Sequence, residues 1–206
     1  IVMGGYSSEY LISLKSGQVV YDQLDRTKYE PYKVHIFKEK WVLVLDNGIE
    51  YPIDKNDFSA TINGEKITFD VVFNAIHGTP GEDGFLQAYF ELIQLPITGC
   101  DFYQAALTFN KRDMLSVLKP YGIKTAISYF LNEGDPIIVE EIVNKVGLPC
   151  FVKPNRSGSS FGISMVKQSE DLLTAIENAY KEDNEIIIES YLKGTDVSVG
   201  VILFKD

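Results

Sequence analysis

The chain has 206 residues, of which 45% are hydrophobic and 23% are charged. This composition is typical of a globular chain with one large domain or two small ones, and it excludes disordered and fibrous proteins. Nineteen Lys and Arg residues against 29 Asp and Glu residues give a net charge of -10. That sign excludes nucleic acid and an anionic membrane surface as main partners, so any nucleotide site has to gather its positive charge locally.

The two cysteines and the chain ends indicate the cellular setting. Cys100 and Cys150 have neither C-x-x-C spacing nor a histidine companion, which argues against a zinc site or a disulfide scaffold and favours a reducing, cytoplasmic compartment. No apolar run approaches the roughly 18 residues that cross a bilayer, and the first residues lack the features of a signal peptide. Because the chain opens without Met and stops directly after an apolar run, we expect it to be a piece of a longer chain.

The first predicted unit is a strand, a helix and a second strand. Residues 1–3 are apolar, Gly4-Gly5 forms a turn, a helical repeat starts near Ser8, and residues 32–37 alternate as a strand. Such a βαβ unit has a right-handed crossover, and its strand ends face a crevice in which ligands commonly bind.

The next predicted elements are an insertion and a second strand-loop-helix. We expect a β-hairpin insertion at 41–68, because Asn47-Gly48 and Asn63-Gly64 suit the positive φ angles of type I′ turns. The run 69–76 is apolar enough for a buried parallel strand, and a polar loop separates it from a helix at 85–93.

The second half of the chain has a different pattern. A helix is predicted from Asp101 to Leu118, and it is broken at Pro120-Tyr121-Gly122, where we expect a domain boundary to lie close by. Strand-like residues follow up to Phe130. After them we predict a helix at 137–146, a strand at 149–153, a Gly/Ser loop at 155–162, a strand at 163–167, a helix at 170–180, and strands at 185–189 and 197–204.

The strongest local signal for chemistry is the segment 151–162, in which a strand ends at Lys153-Pro154 and enters a loop rich in Gly and Ser. Such a loop can direct several backbone N–H groups and hydroxyls at one anion while Lys153 supplies a point charge, as a triphosphate requires. It differs from a P-loop, because the lysine precedes the loop and a strand follows it. The alternative is a hairpin loop without a ligand.

Three other residues are candidates, each with a structural alternative. Glu189 ends a buried strand and could accept from an amine or a ribose hydroxyl, or be a solvated surface group. Glu9 follows Ser7 and Ser8 at a helix N-terminus, where these residues could serve only as helix caps. His77 begins a Gly-rich acidic loop and suits substrate binding or proton shuttling, but no second histidine stands at metal-ligand spacing.

In combination, the segments 4–9, 77–84, 151–162 and 189–196 resemble D-alanine:D-alanine ligases of the ATP-grasp superfamily. The resemblance covers essentially the whole chain, and its most specific patterns are H-G-x-x-G-E-D-G and K-P-x-x-x-G-S-S-x-G. It implies an α/β fold with an N-terminal Rossmann-like (pre-ATP-grasp) substrate domain at 1–108 and the first part of an ATP-grasp nucleotide-binding domain at 109–206.

The resemblance implies an activity as well. ATP would phosphorylate the carboxylate of one D-alanine, and the amine of a second D-alanine would attack the acylphosphate to give a dipeptide for peptidoglycan. ATP and two Mg²⁺ or Mn²⁺ ions are the implied cofactors, and the implied assembly is a homodimer. The family's metal-binding cluster, closing loop and substrate-binding Arg are expected beyond Asp206, so we assign no metal ligand in this chain and expect residues 1–206 alone to be inactive.

The resemblance also implies roles for individual residues. Glu9 would anchor the ammonium group of the first D-alanine and hydrogen-bond to Ser159, His77 would line the same subsite, and Ser159 would orient the second substrate. Glu9 and Ser159 are therefore the catalytic candidates. The implied ATP-binding residues are Lys111 and Lys153 at the phosphates, Ser159 and Ser160 in the phosphate loop, Glu189 at the adenine amine, the backbone of Ser190, Tyr191 and Leu192 at the base, and Asp196 at the ribose.

Two positions depart from the family pattern: Asp196 stands where Glu is usual, and Ala88 where Gly is common. Two alternatives remain open: a D-alanine:D-lactate or other ATP-grasp carboxylate-amine ligase, and a non-catalytic module that senses ATP or an amino acid. Glu9 argues against a module that binds only ATP, because such a module has no need of it.

Overall fold

A computed structural model describes residues 1–158 and 160–201. The fold is mixed α/β, with one six-stranded sheet and one four-stranded sheet. The strands are β1 (Val2–Gly4), β2 (Lys33–Ile36), β3 (Trp41–Val44), β4 (Glu50–Asp54), β5 (Ser59–Ile62), β6 (Glu65–Ile67), β7 (Ser128–Asn132), β8 (Cys150–Pro154), β9 (Ser164–Val166) and β10 (Glu185–Ser190). The helices are α1 (Tyr10–Gln23), α2 (Phe85–Leu92), α3 (Phe102–Phe109), α4 (Lys111–Leu118), α5 (Val139–Val146) and α6 (Leu172–Tyr180).

The first sheet runs in the order β1-β2-β3-β4-β5-β6. Strands β1 and β2 are parallel and are joined through α1, which confirms the predicted βαβ unit. The other neighbouring strands are antiparallel. The crevice at the end of β1 therefore lies beside the first turn of α1, where Glu9 is found.

The insertion spans the predicted residues but has four strands, where a hairpin has two. It is a four-stranded meander, β3 to β6. Asn63 and Gly64 have φ angles of 51° and 87°, as a type I′ turn requires. The type I′ prediction for Asn47-Gly48 is wrong: only Gly48 has a positive φ, of 82°, and the N–H of Leu45 donates to the oxygen of Ile49 at 3.0 Å. This loop has one residue more than a two-residue type I′ turn, so a single glycine in the left-handed conformation is enough to close it.

The segment 69–76 runs parallel to β1 as predicted, but it is neither a continuous strand nor fully buried. It forms isolated bridges, from Val2 to Asn74 and from Val72 to Ile97. Phe73 is 40% exposed, so one face of the segment is open. The sequence analysis also missed the bridging segment around Ile97, where the preceding proline lacks the N–H that a longer ladder needs.

Ser13 of α1 links β1 to this segment. Its hydroxyl accepts a hydrogen bond from the N–H of Gly4 at 2.9 Å and donates to the carbonyl of Ala75 at 2.8 Å, and the side chain is fully buried. The helix is thus fastened to two backbone segments at the start of the crevice.

The second sheet has the order β7-β10-β8-β9, and all its strands are antiparallel. Helices α5 and α6 pack on it through an apolar core that includes Ile142, Val152, Ile176 and Ile188. Helix α5 begins at Val139, two residues later than predicted. The four strands form the base of the Lys153 loop, which leaves the sheet at the end of β8.

Two further predictions need correction. The helix predicted at 101–118 is two helices, because Asn110 has an extended ψ of 100° and caps α4 through its side chain, which accepts from the N–H of Asp113. The strand predicted at 197–204 is absent from its described part, 197–201, and Val199 there is 80% exposed without a pairing partner among the described residues. Residues 202–204 lie outside the described residues. Over the described part of the chain, we find no helix with the length and apolarity needed to span a membrane.

Replacing Ser13 with Ala is expected to lower the free energy of unfolding by about 1–3 kcal/mol, because it leaves a buried N–H and a buried carbonyl unpaired. The matched control is Ser116→Ala on α4, where an exposed hydroxyl donates to the carbonyl of Arg112. Urea unfolding followed by circular dichroism measures both variants. Equal loss of stability in the two variants would contradict the linking role of Ser13.

Candidate functional site

A cavity of about 770 Å³ lies where the two α/β parts meet. Its walls include His77 and Gln87 from the first part and Lys111, Ser157 and Gly158 from the second. The loops that the sequence analysis singled out for chemistry, 77–84 and 155–162, therefore face one shared space.

Glu9 is a buried carboxylate at the edge of this space. It is the N-cap residue of α1 and is only 2% exposed. Its Oε1 accepts a hydrogen bond from the N–H of Gly158 at 3.2 Å, whereas its Oε2 is buried with no partner among the described residues. A buried carboxylate oxygen without a donor is costly, so the arrangement suits a bound ammonium group or hydroxyl.

The neighbouring backbone is shaped to let Glu9 approach. Gly78 has a φ of 70°, and a Cβ there would lie 2.9 Å from Oε1 of Glu9 and 2.5 Å from the hydroxyl of Ser7. Ser7 itself accepts from the N–H of Glu9 at 3.2 Å and donates to the carbonyl of His77 at 3.2 Å. The capping alternative is wrong for Ser7 and Ser8: Glu9 is itself the N-cap residue and makes no side-chain capping hydrogen bond among the described residues, so its carboxylate is left for another partner.

His77 lines the cavity, and its ring is oriented by α1. Its Nε2 lies 3.0 Å from the hydroxyl of Ser16. Glu82, which follows in the same loop, accepts from the N–H of Gly78 at 2.8 Å and so folds the loop on itself. The structure brings His77 and Glu9 close to each other through their contacts with Ser7 and Gly78.

Lys153 and Glu189 form an ion pair across neighbouring strands. The Nζ of Lys153, on β8, lies 2.7 Å from Oε2 of Glu189, on β10, and both side chains are partly buried. The lysine also lies over the ring of Phe151, at 5.4 Å from its centroid. The structure thus places the predicted phosphate lysine and the predicted adenine acceptor in direct contact.

Lys111 is the first residue of α4 and reaches into the Lys153 loop. Its Nζ donates to the carbonyls of Asn155 and Ser157 at 3.2 and 2.7 Å. Burial is the main cause that lowers the pKa of Lys111, and the charge of Lys153 lowers it further. Asp183, Glu189 and Glu9 oppose this shift, so all these charges act on one region.

Arg156, in the loop 155–162, bonds to side chains that lie just before β10. Its guanidinium donates to Asp183 at 2.7 and 3.1 Å and to Asn184 at 2.7 Å, and the hydrogen bond to Asp183 raises its pKa. Arg156 therefore ties the loop to the turn before β10. Sequence reasoning missed this contact, because it joins residues far apart in the chain.

The remaining predicted residues lie around the loop and after β10. Ser159 is outside the described residues. Ser160 is exposed, has a φ of 64° and closes a tight turn in which its carbonyl accepts from the N–H of Ile163 at 3.3 Å. The N–H groups of Ser190 and Tyr191 already donate to the carbonyls of Ile127 and Pro149 at 2.9 and 3.2 Å.

Leu192 and Asp196 belong to the exposed segment that follows β10, which has no regular secondary structure as far as residue 201. The structure does not bring Asp196 to the lysines. Within 1–158 and 160–201, there is no group of three or more His, Cys, Asp or Glu side chains that could hold a metal ion.

Comparison with known families gives two matches that follow each other along the chain. Residues 1–100 match the model described as "D-ala D-ala ligase N-terminus", and residues 122–205 match "D-ala D-ala ligase C-terminus". The division of the chain at 108/109 stays a prediction.

Individual proteins give the same result. The chain is 74% identical over 205 residues to a D-alanine--D-alanine ligase of Flavobacterium johnsoniae, covering 100% of this chain and 64% of that protein. The crystal structure of D-alanyl-alanine synthetase A from Vibrio cholerae matches with a TM-score of 0.80 and 29% identity, over 93% of this chain and 58% of that one.

A D-alanine--D-alanine ligase from Bacillus anthracis, solved in complex with ATP, matches with a TM-score of 0.68 and 27% identity, over 94% of this chain and 58% of that one. The expected α/β fold, an N-terminal ligase domain followed by part of the C-terminal ATP-grasp domain, is confirmed. The chain belongs to the D-alanine--D-alanine ligase family.

Proposed function

We propose that the intact protein ligates two D-alanines to D-alanyl-D-alanine at the expense of ATP, for the synthesis of peptidoglycan precursors. The observation that carries the proposal is one shared region. It contains the buried carboxylate of Glu9, one oxygen of which has no partner among the described residues, and two lysines at a Gly/Ser loop, Lys111 and Lys153. The F. johnsoniae relative, named as a D-alanine--D-alanine ligase, supports it.

The reaction needs the activation of a poor electrophile. The carboxylate of the first D-alanine takes the terminal phosphoryl group of ATP, which gives an acylphosphate and ADP. The free amine of the second D-alanine then attacks the acyl carbon and loses a proton as the C–N bond forms. The C–O bond to the phosphate breaks, and inorganic phosphate leaves with its electron pair. Positioning and electrostatic stabilisation supply most of the catalysis in such transfers.

The first D-alanine binds at Glu9 in this proposal. Its ammonium group pairs with the carboxylate of Glu9, whose Oε2 is buried and has no partner among the described residues. His77 borders the methyl and carboxylate of the substrate from the wall of the cavity. Ser159, two residues from the lysine-bonded carbonyl of Ser157, orients the second D-alanine.

The triphosphate binds at Lys111, Lys153 and the loop that carries Ser159 and Ser160. Its binding draws Lys153 away from Glu189 and frees that carboxylate to accept from the exocyclic amine of adenine. Because the N–H groups of Ser190 and Tyr191 are already bonded, the N–H of Leu192 is the donor that we assign to a ring nitrogen. Asp196 contacts the ribose once the exposed segment 191–201 folds over the nucleotide.

The metal ions, unlike ATP, have no assigned ligands in this chain. The family resemblance implies two Mg²⁺ or Mn²⁺ ions, but the described residues offer no cluster that fits them. We assign no metal ligand in this chain and derive no step from it. We also propose a cytoplasmic homodimer, on the resemblance and on the supply of ATP in that compartment.

Phosphate release by the intact protein with ATP and Mg²⁺ tests the proposal. We expect release with D-alanine, none with L-alanine, and D-alanyl-D-alanine as the product in mass spectrometry. A depsipeptide formed in preference from D-alanine plus D-lactate would favour the D-lactate alternative. ATP binding without release under every condition would favour the non-catalytic sensor.

Residues 1–206 alone are expected to show no D-alanine-dependent turnover. The chain spans 64% of the length of the F. johnsoniae relative, and no acidic cluster for the metal ions occurs among the described residues. The same assay on this fragment, with its mass recorded, checks the expectation. Turnover by the fragment would contradict it.

The two halves of the site are expected to respond separately to mutation. Lys153→Ala should weaken ATP binding by about 10- to 100-fold, because a charge-assisted contact to phosphate is worth about 1.5–3 kcal/mol. Glu9→Gln, which keeps the shape but removes the charge, should raise the KM for D-alanine and leave ATP affinity unchanged. Calorimetry and initial rates measure these effects, with the exposed Lys167→Ala as control. Equal ATP affinity in Lys153→Ala and the unmutated protein would show that the triphosphate is placed wrongly.

A further inference from the structure

Asn155 is a polar residue that is buried beside the candidate nucleotide site. It follows β8 directly, two positions after Lys153, and is only 1% exposed. Its Nδ2 donates to Oδ1 of Asn110 and to Oε2 of Glu185, both at 2.9 Å. Its Oδ1 accepts from the N–H of Arg112 at 2.9 Å. Both donors and the acceptor of the side-chain amide are therefore engaged.

The backbone of Asn155 continues the same set of contacts. Its N–H donates to the carbonyl of Glu185 on β10 at 2.9 Å. Its carbonyl accepts from the N–H of Lys111 at 3.3 Å and from the Nζ of Lys111 at 3.2 Å. A single residue thus contacts the neighbouring strand and all three residues at the start of α4, Asn110, Lys111 and Arg112.

We propose that Asn155 is a positioning residue that fixes Lys111 relative to Lys153, and that this spacing determines the affinity for the triphosphate. The inference rests on the proposed function, in which both lysines bind the phosphates of ATP. Lys153 is held by its strand, whereas Lys111 stands at the start of a separate helix. The contacts of Asn155 are the described hydrogen bonds that join that helix start to the end of β8.

The chemistry of the site favours the asparagine amide over its closest substitutes. Asp has the same shape but no donor, so an Asp here would set its oxygen against two acceptors, Asn110 Oδ1 and Glu185 Oε2. Ser is too short to reach Asn110 and Glu185 at once. Acceptors that face each other at this buried position lose their hydrogen bonds and repel, which would displace the start of α4.

Glu185 offers a way to repair such a change. In the double variant Asn155→Asp with Glu185→Gln, the new glutamine amide can donate to the new aspartate. One of the two lost contacts is then restored in the reverse direction. A coupling of this kind reports on the direct contact between the two side chains.

If Asn155 only stabilised the domain, its substitution would have different effects from those expected of a positioning residue. A residue that only stabilises the domain would lower the melting temperature and affect both substrates alike. A residue that sets the spacing of the lysines changes the KM and Kd for ATP and leaves the KM for D-alanine at its original value, because Glu9 and His77 lie outside its contacts.

The experiment uses the intact protein and five variants: Asn155→Asp, Glu185→Gln, the double variant, Asn155→Ser and the control Asn144→Asp. Asn144 is an exposed residue of α5, so the control makes the same chemical change away from the loop. Steady-state rates give the KM values for ATP and D-alanine, calorimetry gives the Kd for ATP, and thermal unfolding reports on folding.

We expect Asn155→Asp to raise the KM and Kd for ATP by about 10-fold or more, the effect of leaving buried polar groups unpaired. The KM for D-alanine should not change, the double variant should recover most of the ATP affinity, and the control should match the unmutated protein. A folded Asn155→Asp variant with the original ATP affinity, or with both KM values raised equally, would overturn the inference.

If Asn155→Asp does not fold, the Asn155→Ser variant is the test. We expect it to show the same selective loss of ATP affinity, and an unchanged ATP affinity would contradict the inference. Failure of both variants to fold would also overturn the inference, because it would assign Asn155 to domain stability. Absence of D-alanine-dependent turnover in the unmutated protein would instead refute the proposed function. The ATP affinities of the variants would still test whether Asn155 sets the spacing of Lys111 and Lys153.

Discussion

Two ammonium groups, those of Lys111 and Lys153, share one half-buried region, and much of the second domain is arranged to hold them there. Like charges in a poorly solvated place repel, and the pKa of Lys111 is lowered by burial and by Lys153 for this reason. The positive charge of each ammonium group is compensated by groups close to it. Lys153 pairs with Glu189, and Lys111 donates to two backbone carbonyls of the Lys153 loop. These contacts compensate both positive charges within a chain whose net charge is -10.

The junction of the two α/β parts is the second constraint. Glu9 of the first part accepts from Gly158 of the second at 3.2 Å, and Ser8 donates to Glu182 at 2.9 Å. A Cβ on Gly158 would lie 3.2 Å from Oε2 of Glu9, so the absence of a side chain keeps the carboxylate close to the loop. In the proposed function, the amino-acid and phosphate ends of the site come from different parts, so neither part contains the site alone.

The sequence predicts local features of this structure well. Asn63-Gly64 forms its type I′ turn, and Lys153 ends its strand at a Gly/Ser loop, because short-range backbone preferences dominate at both places. The errors occur where contacts with residues far away in the sequence determine the local structure. The segment 69–76 lacks a continuous ladder, and the pairing of Arg156 with Asp183 is not predicted, since nothing near Arg156 in the chain identifies that acidic partner.

The ion pair of Lys153 and Glu189 suggests how an anion site can stay formed before its ligand arrives. Lys153 is 26% exposed and Glu189 is 15% exposed, so each charge is costly to leave unpaired, and the pair separates only when a ligand supplies a new partner to each. A triphosphate that takes over Lys153 replaces one partner of the lysine with another, and it leaves Glu189 available to a hydrogen-bond donor on the same ligand. In the proposed exchange, the lysine and the carboxylate lie on adjacent antiparallel strands, β8 and β10, so one ligand can contact both.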